Sequence, residues 1–274
     1  MEIYNNTTNE TDKKKLKIDV IFSHSNIDSE LVLKDKNVVV IDVLRTSTSM
    51  ITGLANGAKE VIATESIAGA GIIGRNSQAT ALLCGEKNAK RIEGFNLGNS
   101  IKEYSEESVK GKSLIFSSTN GTPALVKAKF AQICIILGFV NITRVAEYLN
   151  LLDKDFMILC AGKSGEFSLE DTVCAGMLID MLSKMAGKNH YDLTDSALGA
   201  SKLYTTYKRD LLQMLMESEH GRFLITLGFE DDLVACAKVD VHNILPVQRH
   251  GVIKSIEVFE TDPKLAMKKV TKSA

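Results

Sequence analysis

Short apolar runs alternate with amphipathic stretches along most of the chain. Val38-Val39-Val40-Ile41, bounded by Asn37 and Asp42, is continuous and rich in β-branched residues, the pattern of a buried strand. Ser47 to Ala58 reads as a helix, with hydroxyl residues at its start and Gly57 near its end. Strands are predicted at 60–64, 81–84, 113–116, 133–137 and 156–160. Helices are predicted at 67–80, 122–130, 142–151 and 169–184. Pro123 falls in the first turn of its helix, where a missing N–H is harmless. Residues 190–228 read as mainly helical, followed by strand-like 234–241 and 251–259. This alternation predicts an α/β fold: a mixed, largely parallel sheet flanked by helices, with a helical insertion near 185–230. No linker or fixed-period repeat divides it. The layout is a polar tail at 1–16, one α/β body at 17–262, and a basic tail at 263–274.

Composition narrows the partners. The 274 residues carry 33 Lys+Arg against 34 Asp+Glu, a net charge of −1. That balance argues against a general nucleic-acid binder, whose affinity rests on clustered positive charge. There is no Trp, and aromatic residues make up 6%, which disfavours stacking platforms for single strands. The five cysteines (84, 134, 160, 174, 236) are odd in number and lack CxxC spacing. They are expected to be reduced core residues in a cytoplasmic protein. No stretch approaches the ~20 apolar residues that span a bilayer, and Met1 to Lys17 has no apolar run of signal-peptide type.

In open α/β sheets, ligands sit beyond the carboxyl ends of strands. Four polar clusters follow predicted strands: Asp42 to Ser49, Gly85-Glu86-Lys87 with Arg91, Ser117 to Thr122, and Ala161 to Asp171. If the strands are parallel, the clusters share one edge. The turns Thr46-Ser47-Thr48 and Ser118-Thr119-Asn120-Gly121-Thr122 open helices, and free N–H groups at a helix start suit a phosphate. Arg45 and Arg91 offer bidentate donors to phosphate, sulfonate or carboxylate. Asp42, Glu86, Glu166, Glu170 and Asp171 are hard oxygen ligands of the kind Mg²⁺ takes beside substrate oxygens. Together these imply a divalent metal and a small anionic phosphoester.

Three other motifs are weaker. Gly69-Ala70-Gly71-Ile72-Ile73-Gly74 has the GxGxxG spacing of a dinucleotide site, but Ser66, Ile67 and Ala68 stand before it rather than a strand. Gly162-Lys163-Ser164 has the end of a P-loop without its first glycine. The histidines (24, 190, 220, 242, 250) lack metal-ligand spacing, and His220, between Ser218 and Gly221, alone stands out.

Several segments, taken in order, resemble the 2-phosphosulfolactate phosphatase (ComB) family. They are Asp42-Val43-Leu44-Arg45-Thr46-Ser47-Thr48, Gly85-Glu86-Lys87 with Ile92 to Ser100 (Asn99 included), Thr119-Asn120-Gly121-Thr122, Cys160-Ala161-Gly162 with Phe167 to Asp171, and Ser218-Glu219-His220-Gly221 with Leu227-Gly228. The resemblance runs from about residue 17 to about 260. It implies Mg²⁺-dependent hydrolysis of 2-phospho-3-sulfolactate to sulfolactate and phosphate, a step of coenzyme M biosynthesis in methanogens. The sequence departs from the family pattern at Lys87-Asn88-Ala89, where an arginine and glycines are expected, at Thr46 for alanine, and at Asn96 for aspartate.

Both readings put Mg²⁺ among Asp42, Glu86, Glu170 and Asp171. Asp42, Glu86 and Asp171 are the expected catalytic groups, and water or Asp42 itself is the nucleophile. Arg45, Thr46, Ser47, Thr48, Arg91, Asn99, Ser118, Thr119, Asn120, Gly121 and Thr122 are the expected substrate contacts. A homodimer is the default assembly. The competing readings are a nicotinamide-dependent oxidoreductase and a non-catalytic anion-binding module.

Overall fold

A computed structural model describes residues 14–77 and 80–256. The expected C-terminal tail and most of the N-terminal tail lie outside the described residues.

In chain order the strands are β1 (Leu16–Ile21), β2 (Asn37–Ile41), β3 (Glu60–Ala63), β4 (Ala81–Lys87), β5 (Lys90–Arg91), β6 (Ser113–Ser117), β7 (Ile133–Leu137), β8 (Phe156–Cys160), β9 (Tyr191–Leu193), β10 (Pro246–Arg249) and β11 (Val252–Ser255). The helices are α1 (Thr46–Ala55), α2 (Ile67–Asn76), α3 (Glu106–Val109), α4 (Gly121–Lys127), α5 (Ile142–Leu152), α6 (Leu169–Ala186), α7 (Asp195–Tyr207), α8 (Leu211–Glu217), α9 (Glu219–Thr226) and α10 (Glu230–Cys236). All strands join one sheet in the order β5-β4-β6-β3-β11-β10-β7-β2-β8-β1-β9.

The sheet is mixed and largely parallel, as expected. It consists of two parallel groups, β4-β6-β3 and β7-β2-β8-β1-β9, bridged by the antiparallel β10–β11 hairpin. Because β10 opposes β7 and β11 opposes β3, the two groups run in opposite directions. The assumption of one parallel edge therefore fails, yet the four clusters still meet. Five strand steps separate β2 from β6. Residues beyond β2 and β8 in one group and beyond β4 and β6 in the other line a single cavity.

The core lies on both faces of the sheet. Val38 and Val40 of β2, Cys134 and Ile136 of β7, Val61 of β3, and Leu114 and Phe116 of β6 all pack in one cluster with Met50, Ile51 and Leu54 of α1 and Leu125 of α4. The alternate residues Val39, Ile41, Ile135 and Leu137 face a second cluster with α5, α6 and α7. Both faces of the central strands are thus buried, which is why their sequences read as unbroken apolar runs.

Local readings differ in three places. Val234 to Val241 is not a strand: α10 takes its first half, with Glu230, Asp231 and Asp232 in the first turn and Leu233 and Cys236 buried one turn apart. The acidic start suits the helix dipole, and the i, i+3 burial spacing outweighs the β-branched residues. β1, with Leu16, Ile18 and Val20 alternating against Lys17 and Asp19, and the edge strand β9 add to the expected elements. The GxGxxG glycines lie inside α2, where Gly74 lets Leu83 approach: a Cβ there would sit 2.8 Å from its Cδ2. They form no strand-to-helix phosphate turn, so the dinucleotide reading loses its basis.

Candidate active site

The ends of β2, β4, β6 and β8 surround a cavity of about 240 Å³. Its lining includes Asp42, Leu44, Arg45, Thr46, Glu86, Asn88, Ala89, Asn99, Thr119, Asn120, Lys163, Ser164, His220 and Phe223.

Asp42 leaves β2 and begins the turn into α1. Its Oδ1 accepts from the Thr46 N–H (3.1 Å) and its carbonyl from the Ser47 N–H (2.9 Å). Its own N–H donates to Ser47 Oγ (2.9 Å). The carboxylate is 5% exposed and has no ion pair among the described residues. Burial pushes its pKa up to about 6; the charge of nearby His220 and the Thr46 bonds act the other way, and Glu86 adds to the rise. Gly121 makes room for it: a Cβ at 121 would lie 2.4 Å from Asp42 Oδ2 and 2.5 Å from Thr46 Cβ.

Glu86 ties three walls together. Oε2 accepts from the Ala89 N–H (2.7 Å) and Oε1 from the Thr119 N–H (2.7 Å). It thereby fixes the β4–β5 turn against the β6–α4 loop. In that turn Asn88 and Ala89 both adopt positive φ, 53° and 62°. A two-residue hairpin of this kind favours glycine, yet this chain places Asn and Ala there.

Asn99 donates from Nδ2 to Thr46 Oγ1 (3.3 Å). Its Oδ1 is buried in the cavity wall with no hydrogen-bond partner. Thr46 Oγ1 donates onward to Ser118 Oγ (3.1 Å). The hydroxyl at 46 therefore links the turns that open α1 and α4.

Several expected contacts are taken up elsewhere. Arg45 lines the cavity, but Nη1 binds Asp232 Oδ2 (2.6 Å), Nη2 binds the Ala89 carbonyl (2.8 Å), and the guanidinium lies 4.1 Å from the Phe229 ring centroid. It braces the wall rather than offering a free fork to an anion. Arg91 is not in the lining; its guanidinium reaches the Asn96 carbonyl at 3.4 Å. Ser47 Oγ is occupied by Asp42, and Thr48 Oγ1 donates to the Val43 carbonyl (2.9 Å). Ser118 and Thr122 cap each other across the start of α4, Ser118 N–H to Thr122 Oγ1 (2.9 Å) and Thr122 N–H to Ser118 Oγ (3.0 Å). These hydroxyls are engaged by backbone groups around the starts of α1 and α4.

The four acids do not gather as one ligand set. Asp171 accepts from the Val43 N–H through Oδ1 (2.8 Å) and from the Gly162 N–H through Oδ2 (3.2 Å), joining the β2 and β8 exits. Burial, then Glu170 and Asp42, hold its pKa well above the ordinary range despite those bonds. Glu170, at the start of α6, lies 3.4 Å from His220 Nδ1. Among the described residues no three His, Cys, Asp or Glu side chains converge as metal ligands.

Two ionisable cavity residues were not among the expected contacts. His220 enters from α9, whose N-cap Ser218 accepts from the Gly221 N–H (2.9 Å). Its S-x-x-G capping spacing was visible, but not the partner 50 residues away on α6. Lys163 comes from the loop after β8 and pairs with Glu219.

The chain matches the model of the 2-phosphosulpholactate phosphatase family over residues 21–251. It is 39% identical over 228 residues to a probable 2-phosphosulfolactate phosphatase of Caldanaerobacter subterraneus subsp. tengcongensis, covering 83% of this chain and 93% of the relative. Like-named proteins of Clostridium tetani (38%; 87% of this chain, all of the relative) and Symbiobacterium thermophilum (40%; 85% and 99%) are similar. The chain belongs to this family. It is thereby a phosphatase, a phosphoric monoester hydrolase. No helix among the described residues is long and apolar enough to cross a membrane.

Proposed function

We propose that the protein hydrolyses 2-phospho-3-sulfolactate to sulfolactate and phosphate, with Mg²⁺ bound beside Asp42. The observation that carries the reading is the buried Asp42 carboxylate, without an ion pair among the described residues, in a cavity also lined by Asn99, whose buried Oδ1 has no hydrogen-bond partner. Two oxygen donors fit Mg²⁺, which commonly takes one or two carboxylates and completes its shell with substrate phosphate and water. The larger set of four carboxylates does not fit, because Glu86 and Asp171 each engage both oxygens with backbone N–H groups. Bound with the phosphoryl group, the ion would neutralise charge on its oxygens.

The chain's own groups do the rest. The start of α1, reached through Thr46, presents its positive dipole end to the phosphoryl oxygens. Glu86 and Gly121 keep the opposing wall in place. His220, with Nδ1 toward Glu170, offers its other ring nitrogen to protonate the departing alkoxide. The resemblance implies a role in coenzyme M biosynthesis, as in methanogens, and we extend it to this chain as part of the same proposal.

The test is phosphate release from 2-phospho-3-sulfolactate with Mg²⁺ and with EDTA. Release that needs Mg²⁺ and is lost in Asp42→Asn supports the reading; metal-independent release by both proteins overturns it.

A further inference from the structure

Lys163 is placed where a second acid group of the substrate would arrive. A substrate bearing phosphate, carboxylate and sulfonate brings several negative charges into a cavity already lined by Asp42 and Glu86. The basic residues of the lining are Arg45, Lys163 and His220. Arg45 is held by Asp232, Ala89 and Phe229, and His220 faces Glu170. That leaves Lys163 as the cation able to change partner.

Its backbone is rigidly seated. The Lys163 N–H donates to the Glu166 carbonyl (3.0 Å) and its carbonyl accepts from the Glu166 N–H (2.9 Å). Gly162 precedes it at φ 74°, where a Cβ would strike the Glu166 carbonyl at 2.4 Å. The Ser164 N–H donates to Asn120 Oδ1 (2.9 Å), tying the loop to the opposite wall. The long side chain is then the movable part. Its side chain is 23% exposed and its ammonium rests on Glu219, whose side chain is 76% exposed. A pair so open to water is weak, so an arriving anion displaces it readily.

We propose that Lys163 binds the non-transferring acid group of the substrate, and that Glu219 stands in for that group in the free protein. The proposal rests on the phosphosulfolactate reading and adds the residue that selects a polyanionic substrate over a simple phosphoester. Lysine suits the task, because a point charge on a flexible stem tolerates either a sulfonate or a carboxylate.

The test compares four phosphoesters with the full-length protein: 2-phospho-3-sulfolactate, 2-phospholactate (no sulfonate), 2-phosphooxyethanesulfonate (no carboxylate) and isopropyl phosphate (neither). Lys163→Gln should raise KM at least tenfold for substrates carrying the recognised acid, with kcat within about twofold and KM for isopropyl phosphate unchanged. Lys163→Arg should restore most of the affinity, and Glu219→Gln should lower KM for the polyanion. Which truncated substrate escapes the penalty identifies sulfonate or carboxylate as the partner. An equal rise in KM for all four, or no rise for any, overturns the proposal. Calorimetric binding of 3-sulfolactate to wild type and Lys163→Gln needs no turnover: equal affinities overturn the Lys163 assignment. Failure of the wild type to release phosphate from phosphosulfolactate instead overturns the activity reading.

Discussion

Asp42→Asn should leave the metal-free protein more stable above pH 6 while abolishing phosphate release. The carboxylate is buried, and burial carries its pKa from an ordinary 3.8 to about 6. A raised native pKa means that the folded state holds a proton which the unfolded chain has lost. Its stability contribution is therefore full below about pH 3.8 and disappears as pH rises through about 6. At 1.36 kcal/mol per pH unit, the ionised native state at pH 8 carries a penalty on the order of 3 kcal/mol. Asn is nearly isosteric, keeps an acceptor for the Thr46 N–H, and removes the charge. It also relieves Asp171, whose pKa Asp42 helps to raise.

Thermal unfolding in EDTA at pH 5, 6, 7 and 8 checks this. The variant's advantage should grow with pH and reach roughly 6–12 °C at pH 8 for a chain of this size. Mg²⁺ with phosphate should narrow the gap by stabilising only the wild type. A gap independent of pH, or a variant less stable at pH 8, would refute the claim that burial destabilises the Asp42 charge.

Three further outcomes follow from the cavity walls. Asp232→Asn should destabilise the protein by about 3–5 kcal/mol in urea titrations, because it strands the buried Arg45 guanidinium and also weakens the Ser100 Oγ and Ile101 N–H contacts; a loss under about 1 kcal/mol would show that Arg45 finds water or another anion. Ala89→Gly should raise stability by about 0.5–1 kcal/mol, since relief of the left-handed φ of 62° exceeds the added unfolded-state entropy; a lower urea midpoint would mean that the buried Cβ matters more. His220→Asn should lower kcat on the alkyl ester by about 10²–10⁴-fold yet cost far less with p-nitrophenyl phosphate, whose leaving group needs no proton; equal losses on both would remove His220 as the proton donor.

The residues after β2, β4, β6 and β8 were legible as site candidates because strand and helix periods are local, and polar clusters between them stand out. Asp42, Thr46, Glu86, Asn99, Thr119 and Asn120 all line the cavity. Whether a hydroxyl caps its own helix or faces a ligand was not legible. Ser118 and Thr122 satisfy each other, while Thr46 bridges to Asn99 and Ser118.

The chain's own pattern determined the α/β class, the buried strands and the acids at their ends, since each depends on a window of about ten residues. Tertiary structure alone decided the rest. The β10–β11 hairpin reverses half the sheet, yet residues beyond strands of both groups line one cavity. Arg45 found its counter-ion at Asp232, 187 positions away, instead of a substrate anion. His220 and Lys163 entered the cavity from α9 and from the loop after β8. Charge pairing over such separations leaves no local period, because it follows from how the layers pack.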